Sequence, residues 1–375
     1  TEILIGILLS VFIAFSIGAI IQWISRVILT FDFESKSILL NCIFGSLSFT
    51  SIINFILIKG IKGTPYSSQT FSILDDLTIN EFIDSNILFF WIISLIFWFI
   101  FSLFISKILK LDIYKIIIGV GTFSLALAFA GNDLVNFIGV PIAALESFQL
   151  WSASSLTASE YSMISLSEKV NTKPIYLFLS GLIMVITLWF SSKAKNVVKT
   201  SLDLSNQNDT DEKFKANPVG KSLVMLGVFL NELLKKLLPK GLLNQINQSF
   251  TLKDNYTEAK SVDGIRPSFD KLRACLNLVI AAILISIATS YQLPLSTTYV
   301  TFMVAMGTSL SDRAWSSDSA IYRVSGVVSV IGGWFLTAFS AFLICGLVVF
   351  TIHQLKITGI LMTIIFVSII IFLSL

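Results

Sequence analysis

The chain has 375 residues, 55% hydrophobic and only 13% charged, with a formal net charge of +3 and a mean hydropathy of +0.85. A soluble domain carries about 25% charged residues, so the composition excludes an ordinary soluble fold, and so small a net charge leaves no nucleic-acid footprint. The long unbroken apolar runs exclude a transmembrane β-barrel, whose strands alternate apolar and polar residues. The expected class is all-α: a polytopic membrane helix bundle with broken or re-entrant helices, set in the lipid bilayer.

A spanning helix needs about 20 mostly apolar residues. In chain order, such runs predict spans near 2–25, 37–58, 86–109, 113–131, 173–192, 271–291, 322–350 and 355–375. Residues 134–145 and 300–310 are apolar but too short to cross, which predicts half-helices or re-entrant pieces. The acidic 60–85 connection contains Asp75, Asp76, Glu81 and Asp84, while residues 193–273 hold 14 Lys+Arg against 9 Asp+Glu. By the positive-inside rule the 193–270 insert is cytoplasmic and the 60–85 loop external. Within the insert, apolar residues over 221–238 recur at helical spacing between Lys221, Glu232, Lys235 and Lys236, the pattern of an amphipathic surface helix. Residues 201–216 read as a linker. The expected organisation is 1–60 as closing helices of a first repeat, 61–192 and 271–375 as membrane regions, and 193–270 as the polar loop.

Cys42, Cys275 and Cys345 lie in apolar runs without metal or disulfide spacing and read as small core residues. His353, the one histidine, reads as an interfacial residue. Asp312 and Arg313 are expected to pair with each other near an interface, and Asn277 to bond between helices. Trp151, Trp315 and Trp334 suit interfacial or packing positions.

Two polar strings interrupt this hydrocarbon. In Gly131-Asn132-Asp133-Leu134-Val135-Asn136, a helical register puts Asn132, Asp133 and Asn136 near one face. Carboxylate and amide oxygens suit a hard cation, and a buried Asp can instead carry a proton; a plain interhelical hydrogen-bond cluster is the other reading. Gly131 and Gly139 would permit a bend or close approach. In Pro294-Leu295-Ser296-Thr297-Thr298-Tyr299, three hydroxyls stand at a helix start. They serve either as caps or, with the free N–H groups of a first turn, as donors to an oxyanion. Broken helices meeting near the midplane are a transporter device, and a cation-coupled anion symporter uses both strings. An enzyme is disfavoured: Asp133 is the sole acid well inside an apolar run, and His353 lies far from Ser296.

Asn132-Asp133-Leu134-Val135-Asn136-Phe137-Ile138-Gly139 resembles the Asn-Asp-x-x-Asn-x-x-Gly core of the inorganic phosphate transporter (PiT) family. Pro294-Leu295-Ser296-Thr297-Thr298 is similar to that family's Pro-x-Ser-Thr-Thr element. The resemblance implies a multi-pass protein of the plasma (inner) membrane that carries inorganic phosphate with Na⁺ or H⁺ by alternating access. It needs no cofactor beyond that coupling ion. It assigns the cation, including Na⁺ as a metal ion, to Asn132 and Asp133, and phosphate to Ser296, Thr297, Thr298 and Asn136. The chain departs from the family at Ala130-Gly131, at Val135 and Phe137 in place of small residues, and at Tyr299 where histidine is usual. The family carries each motif twice, whereas this sequence carries each once, so completion by an upstream segment or by a second subunit in a homodimer is expected. Transport of another oxyanion such as sulfate, and a non-transporting scaffold or sensor, are the alternatives.

Overall fold

The computed structural model describes residues 2–62, 70, 78–157, 160–164, 172–205, 215–237, 239–251, 269–291, 293, 295–313 and 317–374. Thirteen α-helices run through them: α1 (Glu2–Leu29), α2 (Ile38–Lys62), α3 (Ile79–Ser85), α4 (Ile87–Leu103), α5 (Ile113–Ser152), α6 (Pro174–Phe190), α7 (Ser192–Ser205), α8 (Pro218–Leu237), α9 (Lys240–Ser249), α10 (Lys271–Ser290), α11 (Thr297–Ser311), α12 (Ser317–Leu355) and α13 (Ile357–Ser374). The only β pairing among the described residues is an isolated bridge between Thr70 and Thr78. The protein is an all-α, multi-pass integral membrane bundle.

Five of these helices are long and apolar enough to cross a bilayer: Ile5–Leu29, Ile87–Ile108, Ile113–Ser152, Lys271–Ser290 and Ser319–Leu355. The predicted spans at 37–58 and 355–375 appear as shorter apolar helices, Ile38–Asn54 and Ile357–Leu373. The predicted span at 173–192 is the first arm of a pair, α6 and α7, bent by 64°. Two expectations change here. Residues 134–145 are no half-helix, because α5 runs unbroken for 40 residues through both Gly131 and Pro141. Part of the supposed 201–216 linker is helical, since α7 extends to Ser205; residues 206–214, Asp75 and Asp76, Pro294 and Trp315 lie outside the described residues.

Local chemistry sets the helix ends. Asp112 caps α5 by accepting from Tyr114 N–H, and Asp270 caps α10 by accepting from Arg273 N–H. Thr78 and Glu81 form a reciprocal capping box on α3, which satisfies two otherwise orphaned donors. Thr30, Lys110, Arg313 and Lys356 all have positive φ, between 51° and 59°. Each lies one or two residues past a helical segment, where a left-handed residue normally closes the last turn.

The chain forms two compact units, residues 1–210 with 235–316 and residues 211–234 with 317–375. In the first, α11 is the central rod, with 11 of its 15 residues buried. It lies against α1 at a very close approach: a Cβ on Gly18 would stand 2.9 Å from the Val304 carbonyl oxygen, and one on Gly307 would overlap that of Phe15. Small residues that let backbones touch are how membrane helices gain packing energy without a hydrophobic drive. α2 and α4 pack through Phe49, Trp98 and Phe101. The outward face of α4 is apolar and exposed at Phe89, Ile92, Ile96 and Ile100, as a lipid-facing helix requires.

In the second unit, α12 and α13 form a hairpin turned at Lys356, with Gly359 close under the Thr351 carbonyl. The chain leading into α8 docks on α12, where Asn217 N–H donates to Ser325 Oγ at 3.0 Å. Met225, Val228 and Phe229 of α8 are exposed, as expected of an amphipathic helix. Cys42 and Cys275 are buried, but Cys345 on α12 is exposed, so it is not the core residue its sequence context suggested.

Candidate functional site

The two polar strings meet. α5 carries the first, and the second opens α11, so 164 residues of chain separate groups in direct contact. Thr297 Oγ1 donates to the Asp133 carboxylate, 2.8 Å from Oδ2 and 3.0 Å from Oδ1. Asn132 Nδ2 donates to Asp133 Oδ1 at 3.1 Å. The carboxylate is therefore held from two sides by neutral donors. Thr297 is buried, Asp133 half-buried and Asn136 exposed.

A cavity of ≈ 280 Å³ lies at this junction, lined by Asp133, Asn136, Phe137, Leu295, Ser296, Thr297 and Thr298. Asp133 is the sole charged residue in the lining. Of the expected site residues, Asp133, Asn136, Ser296, Thr297 and Thr298 reach the cavity directly. Asn132 does not line it and acts through Asp133. Ser296 is the N-cap of α11, its Oγ accepting from Tyr299 N–H at 3.4 Å. Capping and ligand donation are compatible here, because a capping oxygen accepts and leaves its own O–H to donate.

The helical register placed Asn132, Asp133 and Asn136 together, and α5 is indeed helical there. The role assigned to the glycines does not hold. A Cβ on Gly131 would meet nothing within 4 Å, and one on Gly139 only its own helix's Val135. Neither residue is needed for a close approach, and the helix does not break at either.

At the other end of the same helices lies a network that the sequence did not announce. Arg26, wholly buried near the end of α1, donates through Nε to Asp312 Oδ1 at 2.5 Å and through Nη2 to Asp312 Oδ2 and Asp270 Oδ2, each at 2.6 Å. Its Nη1 donates to the Thr30 carbonyl at 3.0 Å, and its guanidinium lies 3.9 Å over the Phe31 ring. Asp312 thus pairs with a residue 286 positions earlier, not with Arg313, which donates to Asn247 and stacks on Phe250. Beside this cluster Lys271 Nζ bridges Glu34 and Asp112, both at 2.6 Å. A lone arginine in an apolar run, with acids just outside two other apolar runs, was the available signal. Asn277 does bond between helices, accepting from Thr308 Oγ1 at 2.6 Å.

No protein-family model, no curated protein and no solved structure matches this chain.

Proposed function

We propose that the protein is a cation-coupled symporter of inorganic phosphate, with its coupling cation (Na⁺ or H⁺) at Asp133 and the oxyanion held by Ser296, Thr297, Thr298 and Asn136. The observation that carries this reading is the direct contact of Thr297 with Asp133 at the edge of a single cavity. One carboxylate among amide and hydroxyl oxygens suits a single monovalent cation. Hydroxyls and first-turn N–H groups suit a tetrahedral oxyanion. The resemblance of both strings to the inorganic phosphate transporter family supports phosphate over other oxyanions.

The Thr297–Asp133 contact supports a coupling logic. A hydroxyl has one hydrogen to donate, and Thr297 spends it on Asp133. While Asp133 is a bare carboxylate, it both occupies a donor of the anion site and repels the anion. A cation or proton on Asp133 removes the repulsion and frees the Thr297 hydroxyl for a phosphate oxygen. The ligands of this cavity are fewer than a hydrated cation and a phosphate together take, so the reading includes a second contributor, from elsewhere in the protein or from a partner copy.

The test is labelled phosphate uptake into proteoliposomes under an inward Na⁺ or H⁺ gradient. Gradient-driven uptake should vanish in Asp133→Asn and fall at least about tenfold in Thr297→Val, the loss of one charge-assisted hydrogen bond. Uptake that survives both substitutions, or that sulfate but not phosphate blocks, would overturn the assignment.

A further inference from the structure

A second cavity in the first unit is larger than the one at Asp133. A volume of ≈ 350 Å³ opens at the opposite end of the helices, with Glu34, Asn41, Ser106, Lys110, Asp112 and Tyr114 among its lining. Its position marks it as interfacial. The start of α2, the end of the α4 segment, the start of α5 and, through Lys271, the start of α10 all converge there. Its remaining lining residues include the exposed, apolar Ile38 and Leu111, beside the charged groups.

The polar wall divides into two halves by hydrogen bonding. On one side the acceptor oxygens are already used. Asn41 Oδ1 takes the Tyr114 hydroxyl at 3.0 Å, which leaves the Asn41 amide to donate. Ser106 Oγ takes the Cys42 thiol at 3.8 Å, which leaves the Ser106 hydroxyl to donate. Lys110, held at positive φ by the α4–α5 turn, adds an exposed ammonium. Three donors without a matching acceptor are a phosphate-type site.

On the other side stand two carboxylates. Both Asp112 oxygens are taken, by Tyr114 N–H and by Lys271. Glu34 gives only Oε1 to Lys271 and its side chain is 58% exposed, which leaves Oε2 as an acceptor for a cation. The four charges, Lys110 and Lys271 against Glu34 and Asp112, cancel. A net-neutral ligand carrying its own anion and cation complements this wall better than an anion does.

We infer that this cavity binds the headgroup of an amine-bearing phospholipid, with its phosphodiester on Lys110, Ser106 and Asn41, its ammonium on Glu34, and its acyl chains running past Ile38 and Leu111. The inference is independent of what the protein carries at Asp133.

Native mass spectrometry of the full chain, released from detergent with added dioleoyl phosphatidylethanolamine, phosphatidylglycerol or phosphatidylcholine, tests it. Phosphatidylethanolamine should be retained several-fold over the other two, and Lys110→Gln or Ser106→Ala should cut that retention about tenfold. Glu34→Gln should abolish the preference over phosphatidylglycerol while lipid still binds. Circular dichroism of each variant separates lost binding from lost fold, and the two Lys110/Ser106 variants are read independently. Equal retention of phosphatidylglycerol in the parent protein, or unchanged retention in folded variants, would overturn the assignment. Displacement by glycerophosphoethanolamine or inorganic phosphate as effective as by lipid would make the ligand a soluble phosphoester and refute the lipid.

Discussion

Replacing Arg26 is the most informative test of how the first unit holds together. Its side chain is 0% exposed, as is that of Asp312, and Asp270 is 3% exposed. At about 4 Å and an effective dielectric of about 20, each pair attracts by about 4 kcal/mol before desolvation is charged against it. In Arg26→Met the guanidinium's bonds to the two carboxylates disappear, and two adjacent buried carboxylates lose the cation they share. Breaking a buried pair from one side costs about 3–5 kcal/mol, and the close repulsion of Asp270 and Asp312 puts this site toward the upper end. Unfolding in an SDS titration, followed by circular dichroism, should register that loss. The companion variant removes every charge at once: Arg26→Met, Asp270→Asn and Asp312→Leu, where Asn keeps the α10 cap. Because a desolvated ion cluster contributes little net stability against apolar packing, the triple variant should recover most of the deficit. A single variant within about 1 kcal/mol of the parent, or a triple variant no better than the single, would refute the argument that pairing rather than packing is what Arg26 supplies.

Two further outcomes follow from other contacts. Gly307→Ala should destabilise by about 1–3 kcal/mol, the usual cost of overpacking, because its Cβ would overlap the Phe15 carbonyl. Gly119→Ala on α5, where a Cβ meets nothing within 4 Å, should instead be neutral or stabilising by up to about 1 kcal/mol, and equal effects in the same SDS titration would contradict the close α1–α11 approach. At α3, hydrogen bonds from the Thr78 backbone N–H and hydroxyl hold the Glu81 carboxyl below the usual range. A depressed folded value means that the capping box contributes fully above the ordinary Glu pKa of about 4.3 and is lost as pH falls through the lower folded value. A ¹³C titration of Glu81 with a midpoint at or above the ordinary value, or one unmoved by Thr78→Ala, would dismiss the box.

How much of this was legible depended on whether the cause was local. Hydrophobic run length sufficed for most spans, and Ser296 capping α11 followed from residue type alone. The helical register of Asn132, Asp133 and Asn136 needed only the 3.6-residue period. What failed was the half-helix expected over 134–145, which took the polar string Gly131–Asn136 as the end of one apolar run and the start of another. The polar side chains of Asn132 and Asp133 bond to each other and to Thr297, so nothing there competes for the α5 backbone. Pro141 lacks the N–H that an interior helix position would use, yet α5 continues to Ser152. The lone Arg26 in an apolar run was visible, but its partners Asp270 and Asp312 were not, because charge pairing across 286 residues leaves no periodic trace. Arg313, adjacent to Asp312, offered a nearer and wrong partner.

The register of α5 also relocates the candidate site. Lys271, Glu34 and Asp112 are partly exposed charges and mark where hydrocarbon ends, since such groups are costly inside it. Asp133 lies 21 residues further along α5, about 32 Å at 1.5 Å per residue, against a hydrocarbon layer about 30 Å thick. α10 agrees: it begins at Lys271 and runs 20 residues before the turn that delivers Ser296 and Thr297. Tilting by up to about 40° lets the layer reach only a few residues past Asp133. The cavity therefore belongs near the far interface and not at the midplane, which explains how an exposed Asn136 and a half-buried carboxylate are tolerated beside Val135 and Phe137. It also divides the labour along α11. Its first turn faces the cavity, its middle is packed solid between Phe302 and Ser309, and its last residues sit against the Arg26 cluster. On the symport reading, phosphate reaches Thr297 from the far side with little desolvation.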